Sequence, residues 1–268
     1  MNWLEALILG LVQGLTEFLP VSSSGHLELG KAILGVDADR SLIFTIVVHG
    51  GTVLSTIVVF RKDLWILPKE IFSIRWKDVV ALRFSESNQY NLKLILSMVP
   101  VVILGLFFLD EIESLFTGRV VFVGYMLIIT SLLLASTYLI KSNKRNIGYL
   151  DALYIGIAQA IAVIPGISRS GATISAGLLL GTKRELVTKF SFLMVLIPIL
   201  GENAKDLLDG QMISETSISA TALIIGFIAA FTAGLFACKW MIGIVKKGNL
   251  IYFAIYCLII GLIAIFLG

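Results

Sequence analysis

Uncharged apolar blocks of bilayer length constrain this chain more than any other feature. Residues 42–60, 92–109, 119–140, 190–208, 219–241 and 250–267, in round limits, are dominated by Leu, Ile, Val, Phe, Ala and Gly. A helix rises about 1.5 Å per residue, so ~20 such residues cross ~30 Å of hydrocarbon. Of the 268 residues 57% are hydrophobic and 15% charged, too little charge to clothe a soluble domain of this length. The pattern predicts an all-α polytopic membrane protein, with residues 1–268 as a single integral membrane domain containing six full transmembrane helices. The net charge is only +3 and the basic residues fall in short loops, which reads as an orientation signal and predicts no nucleic-acid partner. Cys238 and Cys257 lie inside apolar runs and are expected to be packing residues, not a disulfide or metal pair. The opening MNWLEALILG has no basic stretch and carries Glu5, unlike a cleaved signal peptide.

Two further segments are apolar but broken. Residues 3–19 run into PVSSSGH and then a short LELGKAILG; residues 149–164 run into PGISRSGAT and then ISAGLLLG. Each reads as two half-helices joined by a polar turn of Gly, Ser and Pro. The loops set the topology. Segments 61–84, 141–146, 182–189 and 245–249, rich in Lys and Arg, are expected on the cytoplasmic side. Segments 35–39, 110–114 and 207–216, acidic or neutral, are expected outside. Followed through the crossings, residues 149–181 begin and end inside, and residues 3–35 begin and end outside. Both are therefore expected to be re-entrant helical hairpins, entering from opposite faces. Residues 61–91 have room for an interfacial helix.

The two hairpins are also related to each other. At one constant offset Gly10 aligns with Gly156, Gln13 with Gln159, Ser22 with Ser168, Ser24 with Ser170, Gly25 with Gly171, and Leu34-Gly35 with Leu180-Gly181. Three full spans follow each hairpin, and an odd number reverses the second copy. The chain thus reads as an inverted repeat of residues 1–140 and 149–268, an architecture that places binding sites at broken helices near the midplane. The correspondence is broken where chemistry would need it: Glu17 falls opposite Val163, Ser23 opposite Arg169 and His26 opposite Ala172. A symmetric shuttle does not need such differences, although transporters too are asymmetric in detail.

An ionisable side chain at bilayer depth costs roughly 2.5–3.5 kcal/mol on insertion scales, which marks it as a functional candidate. Gln13 and Glu17, four apart, share one helix face directed at the polar turn. The plainer alternative is a Glu17 that snorkels outward or pairs with a neighbouring helix. Both turns look like helix starts, where free N–H groups and the positive end of the dipole attract anions. Two such starts meeting from opposite faces make a pocket for a polyanion such as a diphosphate. Alternatively the serines fill a kink and let helices pack closely. Arg169 can grip phosphate bidentately or form an internal ion pair with Glu17. His49, in VVHGGTV, either lines the pocket or bonds a neighbouring helix. Glu202, Asn203 and Asp206 read as a solvated helix end, and Lys239 as a snorkelling cation.

QGLTEFLPVSSSGH and PGISRSGAT, together with this length and topology, resemble the two signature motifs of the integral-membrane undecaprenyl-diphosphate phosphatases of bacteria, the enzymes associated with bacitracin resistance. The resemblance runs from Gln13 through the last spans. The family's first motif has Glu or Gln, three residues, then Glu; this chain has the Gln form at Gln13, one carboxylate rather than two. The resemblance implies hydrolysis of undecaprenyl diphosphate to undecaprenyl phosphate and inorganic phosphate, which recycles the lipid carrier for cell-wall synthesis. It implies a multi-pass protein of the bacterial plasma membrane, with the active site open to the outer face. It further implies a divalent cation, Mg2+ or Ca2+, with Glu17 as the expected protein ligand. The partners expected are the lipid diphosphate, membrane lipid and, in a homo-oligomer, further copies of the chain.

The catalytic set expected on these grounds is Ser23, His26, Glu17 and Arg169. Arg169, the loop N–H groups at Gly25 and Gly171, and the hydroxyls of Ser22, Ser24, Ser168, Ser170 and Thr173, together with Gln13 and His49, would hold the diphosphate. Ser23 is the candidate nucleophile, weak until a base takes its proton. His26 is the favoured acid/base, with Glu17 binding a metal or orienting His26. The reverse assignment and direct attack by water both stay open. The rival reading, from a different class, is a transporter or flippase of a lipid phosphate.

Overall fold

The computed structural model describes residues 1–36, 42–72, 85–108, 119–140, 145–208 and 218–268. Parts of the expected loops, at 37–39, 73–84, 110–114, 141–144 and 209–216, and the side chains of Glu202, Asn203 and Asp206 lie outside the described residues. Among the described residues the chain forms ten α-helices: α1 Trp3–Phe18, α2 Ser23–Leu34, α3 Leu42–Phe72, α4 Glu86–Phe107, α5 Val120–Ser136, α6 Tyr149–Ile161, α7 Arg169–Leu179, α8 Arg184–Leu208, α9 Ala220–Lys247 and α10 Ile251–Leu267. The protein is an all-α, polytopic membrane-type fold. Four stretches are long and apolar enough to cross a bilayer, Ile43–Trp65, Glu86–Phe107, Val120–Leu139 and Ala220–Val245. The other two expected spans are helical as α8 and α10, but the 17 residues of α10 reach only about 25 Å. α3 continues past the expected limit at Phe60, where the backbone leaves helical geometry (φ −99°, ψ 16°).

Each broken segment is a helix, a turn and a second helix, and local chemistry explains each boundary. α1 starts on a capping box: the Asn2 side chain accepts from the Leu4 and Glu5 N–H groups, and Glu5 accepts from the Asn2 N–H. It stops where Leu19, forced toward extended geometry by the following Pro20, takes φ −72° and ψ 144°. α2 starts on the Ser22 cap and ends at Gly35 in the left-handed region (φ 67°). In the second segment, Asp151 accepts the Gly148 N–H at 2.7 Å where α6 begins. α7 starts on the Ser168 cap, and the chain turns off it through Gly181 at φ 87°. The aligned Leu-Gly pairs thus mark two helix ends.

Small residues dock each broken segment onto a long helix. On α1, a Cβ at Gly10 or Gly14 would come within 2.5 Å of the Gly226 or Ala230 carbonyl oxygen of α9. On α6, a Cβ at Gly156 would strike the Ser97 backbone of α4. α5 and α10 meet at Gly124 and Gly261 in the same way. Phe18, at the end of α1, packs edge-on against Phe192 of α8, with ring centroids 5.8 Å apart. Cys238 and Cys257 are buried free thiols, as expected, and Lys239 is exposed.

Candidate active site

The two breaks touch. A Cβ on Gly25 would lie 3.1 Å from Gly166 Cα, and one on Gly171 would lie 3.4 Å from Pro20 Cβ. The Ser170 hydroxyl donates to the Leu19 carbonyl across the gap (3.3 Å). Thr130 of α5 braces the second break, donating its hydroxyl to Gly166 O and accepting the Ser168 N–H, both at 3.0 Å. The caps are twins: Ser22 Oγ accepts the Gly25 N–H at 3.3 Å, and Ser168 Oγ the Gly171 N–H at 3.0 Å. Ser24 Oγ lies 3.4 Å from Ser22 Oγ, and Ser170 Oγ 3.3 Å from Ser168 Oγ. Thr173 spends its hydroxyl on the Arg169 carbonyl at 2.8 Å.

Glu17 is the hub of this cluster. It sits in the last turn of α1 with its side chain only 7% exposed. Oε2 accepts the Ser23 hydroxyl at 2.6 Å and the Gln13 amide at 2.9 Å. Oε1 accepts Arg169 Nη2 at 3.0 Å, across the two breaks. His49 of α3 brings Nε2 to 3.9 Å from Oε2, while its Nδ1 donates to the Thr45 carbonyl. Glu17 thus pairs with Arg169, shares a helix face with Gln13 and has His49 beside it.

The His26 ring contacts Ser22 and Tyr256. Its Nδ1 lies 2.9 Å from Ser22 O, which can only accept, so Nδ1 carries the proton. Nε2 then accepts from the Tyr256 hydroxyl of α10 at 2.9 Å, with the two rings stacked at 5.5 Å and 13°. Both ring nitrogens are thus taken, and the hydroxyl of Ser23 goes to Glu17. Tyr256 gives no sign of this in the sequence, because it is one of two tyrosines, with Tyr252, in an otherwise ordinary apolar span. Ser22 itself has φ 69°, the only non-glycine with positive φ among the described residues. Backbone held there costs about 1–3 kcal/mol and clusters at functional sites.

For a divalent cation, the donor set is sparse: among the described residues no group of three His, Cys, Asp or Glu gathers. Glu17 nevertheless has a second oxygen donor beside it. Gln13 is fully buried, and its Oε1 has no hydrogen-bond partner among the described residues. One carboxylate and one carbonyl oxygen fit a hard cation whose remaining ligands are water and substrate oxygens.

A carboxylate, a hydroxyl and a guanidinium thus meet where two broken helices touch. The chain belongs to the bacitracin resistance protein BacA family, whose model matches residues 6–263. It is 53% identical over 268 residues to the undecaprenyl-diphosphatase of Christiangramia forsetii, covering 99% of this chain and 98% of that protein. It is 49% identical over 270 residues to the undecaprenyl-diphosphatase of Bacteroides fragilis, covering 99% and 98%. With the undecaprenyl-diphosphatase of Methanobrevibacter smithii it shares 37% over 277 residues, 100% of this chain and 98% of the other.

Proposed function

We propose that this protein hydrolyses undecaprenyl diphosphate to undecaprenyl phosphate and inorganic phosphate within the membrane. The observation that carries the chemistry is the contact of Ser23 Oγ with Glu17 Oε2 at 2.6 Å, beside Arg169 at 3.0 Å. It is a nucleophile on its base, with a phosphate-binding cation alongside. Glu17 takes the Ser23 proton, Oγ bonds to the terminal phosphorus, and the bridging oxygen leaves with its electron pair on the lipid monophosphate, which accepts the proton from Glu17. Arg169 moves from Glu17 onto the transferring phosphoryl group, where charge accumulates. The N–H groups at the starts of α2 and α7 hold the second phosphate. His26, engaged with Ser22 and Tyr256, orients the start of α2.

Mg2+ or Ca2+, held by Glu17 and Gln13 Oε1, would neutralise diphosphate charge when bound. The topology we infer has six crossing helices and two re-entrant hairpins, as an inverted repeat opening to the outer face. It is supported by reciprocal packing: α1 lies on α9 as α6 lies on α4, α3 on α9 as α8 on α4, and α5 on its counterpart α10. The Lys and Arg loops support the orientation. The lipid tail can stay between helices, in contact with the bilayer.

Purified protein in detergent tests the reaction, since transport needs two compartments and hydrolysis does not. The expected result is one phosphate released per undecaprenyl diphosphate consumed. No release with Mg2+ or Ca2+ present, alongside lipid movement in vesicles, would favour the flippase reading.

A further inference from the structure

A small open cavity, lined in part by Glu17 and Arg169, lies between the second broken segment and α3 and α8. Its lining includes Glu17, Arg169, Thr173, Gln159 and Ser191, together with apolar side chains of α3 and α8. Gln159 of α6 is 1% exposed, and both its Nε2 and Oε1 lack a partner among the described residues. Ser191 of α8 is 3% exposed, and its Oγ also lacks one. Three polar atoms without partners at one cavity wall require a ligand that both donates and accepts, because buried polar groups are otherwise paired. Size decides which ligand. The space open to water centres is ≈ 20 Å3, where one water needs about 10–15 Å3. That space takes one ordered water beside Glu17 and Arg169.

We propose that Gln159 and Ser191 hold the water that hydrolyses a phosphoseryl intermediate on Ser23, a role that rests on the phosphatase reading above. Gln159 Oε1 accepts one water proton, and Ser191 Oγ and Gln159 Nε2 donate to the water or to a phosphoryl oxygen. Glu17, which reaches both Ser23 and this cavity, takes the other proton. The water oxygen bonds to phosphorus, the phosphorus–Oγ bond breaks, and its electron pair stays on Oγ, which recovers the proton from Glu17. The products are inorganic phosphate and the free serine. Gln159 is the repeat counterpart of Gln13, which holds Glu17 directly (2.9 Å). One glutamine thus serves the base and the other the water.

The test is pre-steady-state hydrolysis of undecaprenyl diphosphate, labelled in its terminal phosphate, by the full chain in detergent. Gln159→Leu is expected to lower kcat at least tenfold while first-turnover release of undecaprenyl phosphate keeps its rate, so that labelled protein accumulates after acid quench. Ser191→Ala, which removes only a hydroxyl and guards against misfolding of the first variant, is expected to show the same burst with at least a threefold loss. Retention of kcat within twofold in both variants would overturn the proposal. So would equal slowing of undecaprenyl phosphate and phosphate release, which would place both residues in the first step. An inactive wild-type protein would instead overturn the phosphatase reading itself.

Discussion

The breaks at Leu19–Ser22 and Ala162–Ser168 are built alike and equipped differently. Each has a serine cap on a glycine N–H, a second serine beside the first, and a glycine in its first helix pressed against a neighbouring backbone. Only the first break carries the carboxylate and the hydroxyl it contacts, and only the second carries the guanidinium. Even the shared cap differs: Ser22 sits at φ 69° and Ser168 at φ −73°. In the proposed reaction both helix starts offer backbone N–H groups to the diphosphate. A reaction that moves one phosphoryl group needs a single base, a single nucleophile and a cation facing them. On the proposed reading the scaffold is duplicated and the chemistry is divided.

The sharpest way to break this contrast is at Glu17 and its counterpart Val163. Glu17→Gln is expected to cut kcat by about 10²–10⁴, the usual contribution of a positioned base, whereas Val163→Ala changes it by less than about threefold. Comparable losses at the two positions in a phosphate-release assay would remove the asymmetry. Arg169→Lys comes next, with an expected loss of about 10–100-fold in kcat/KM, because an ammonium cannot reproduce the bidentate fork. Full activity would show that Arg169 is only the ion-pair partner of Glu17.

Stability tests the likeness of the two halves. Gly10→Ala and Gly156→Ala should each destabilise by about 1–3 kcal/mol in detergent unfolding, since both put a methyl into a neighbouring backbone. A neutral result at one site alone would mean that the two hairpins dock differently. The smallest effect is the most telling about the caps. Ser22→Gly relieves a positive φ and loses only a cap that glycine partly replaces, so it should stabilise by roughly 0.5–1 kcal/mol. Ser168→Gly has no strain to relieve and should destabilise by roughly 0.5–1 kcal/mol. Shifts of the same sign would contradict the strain assigned to Ser22.

Much of this was legible in the chain because it is written in short-range chemistry. Pro20 and Ser22, and Pro165 and Ser168, announce where helices stop and restart, and the Leu-Gly pairs announce where the second helices end. The meeting of Glu17 with Arg169 was open to inference from the unlike residues in the repeat. The pairing of Ser23 with Glu17 stands in the sequence only as the alternative to His26, because six residues spanning a broken helix have no fixed geometry. Nearness along α2 points His26 at Ser23, but side chains on a helix lean toward its start, and the ring meets Ser22 O and Tyr256, 230 residues away. Gln159 was visible as a repeat match, yet its unpaired amide appears only once α8 closes the cavity.

A double-mutant cycle on kcat/KM with Ser23→Ala, Arg169→Ala and the double variant tests most directly whether the two breaks act on one phosphoryl group. The two residues stand on different hairpins and act together only through a shared substrate and Glu17. The expected result is strong non-additivity, the double variant losing little more than the worse single one. Losses that multiply would contradict a single site formed by both breaks.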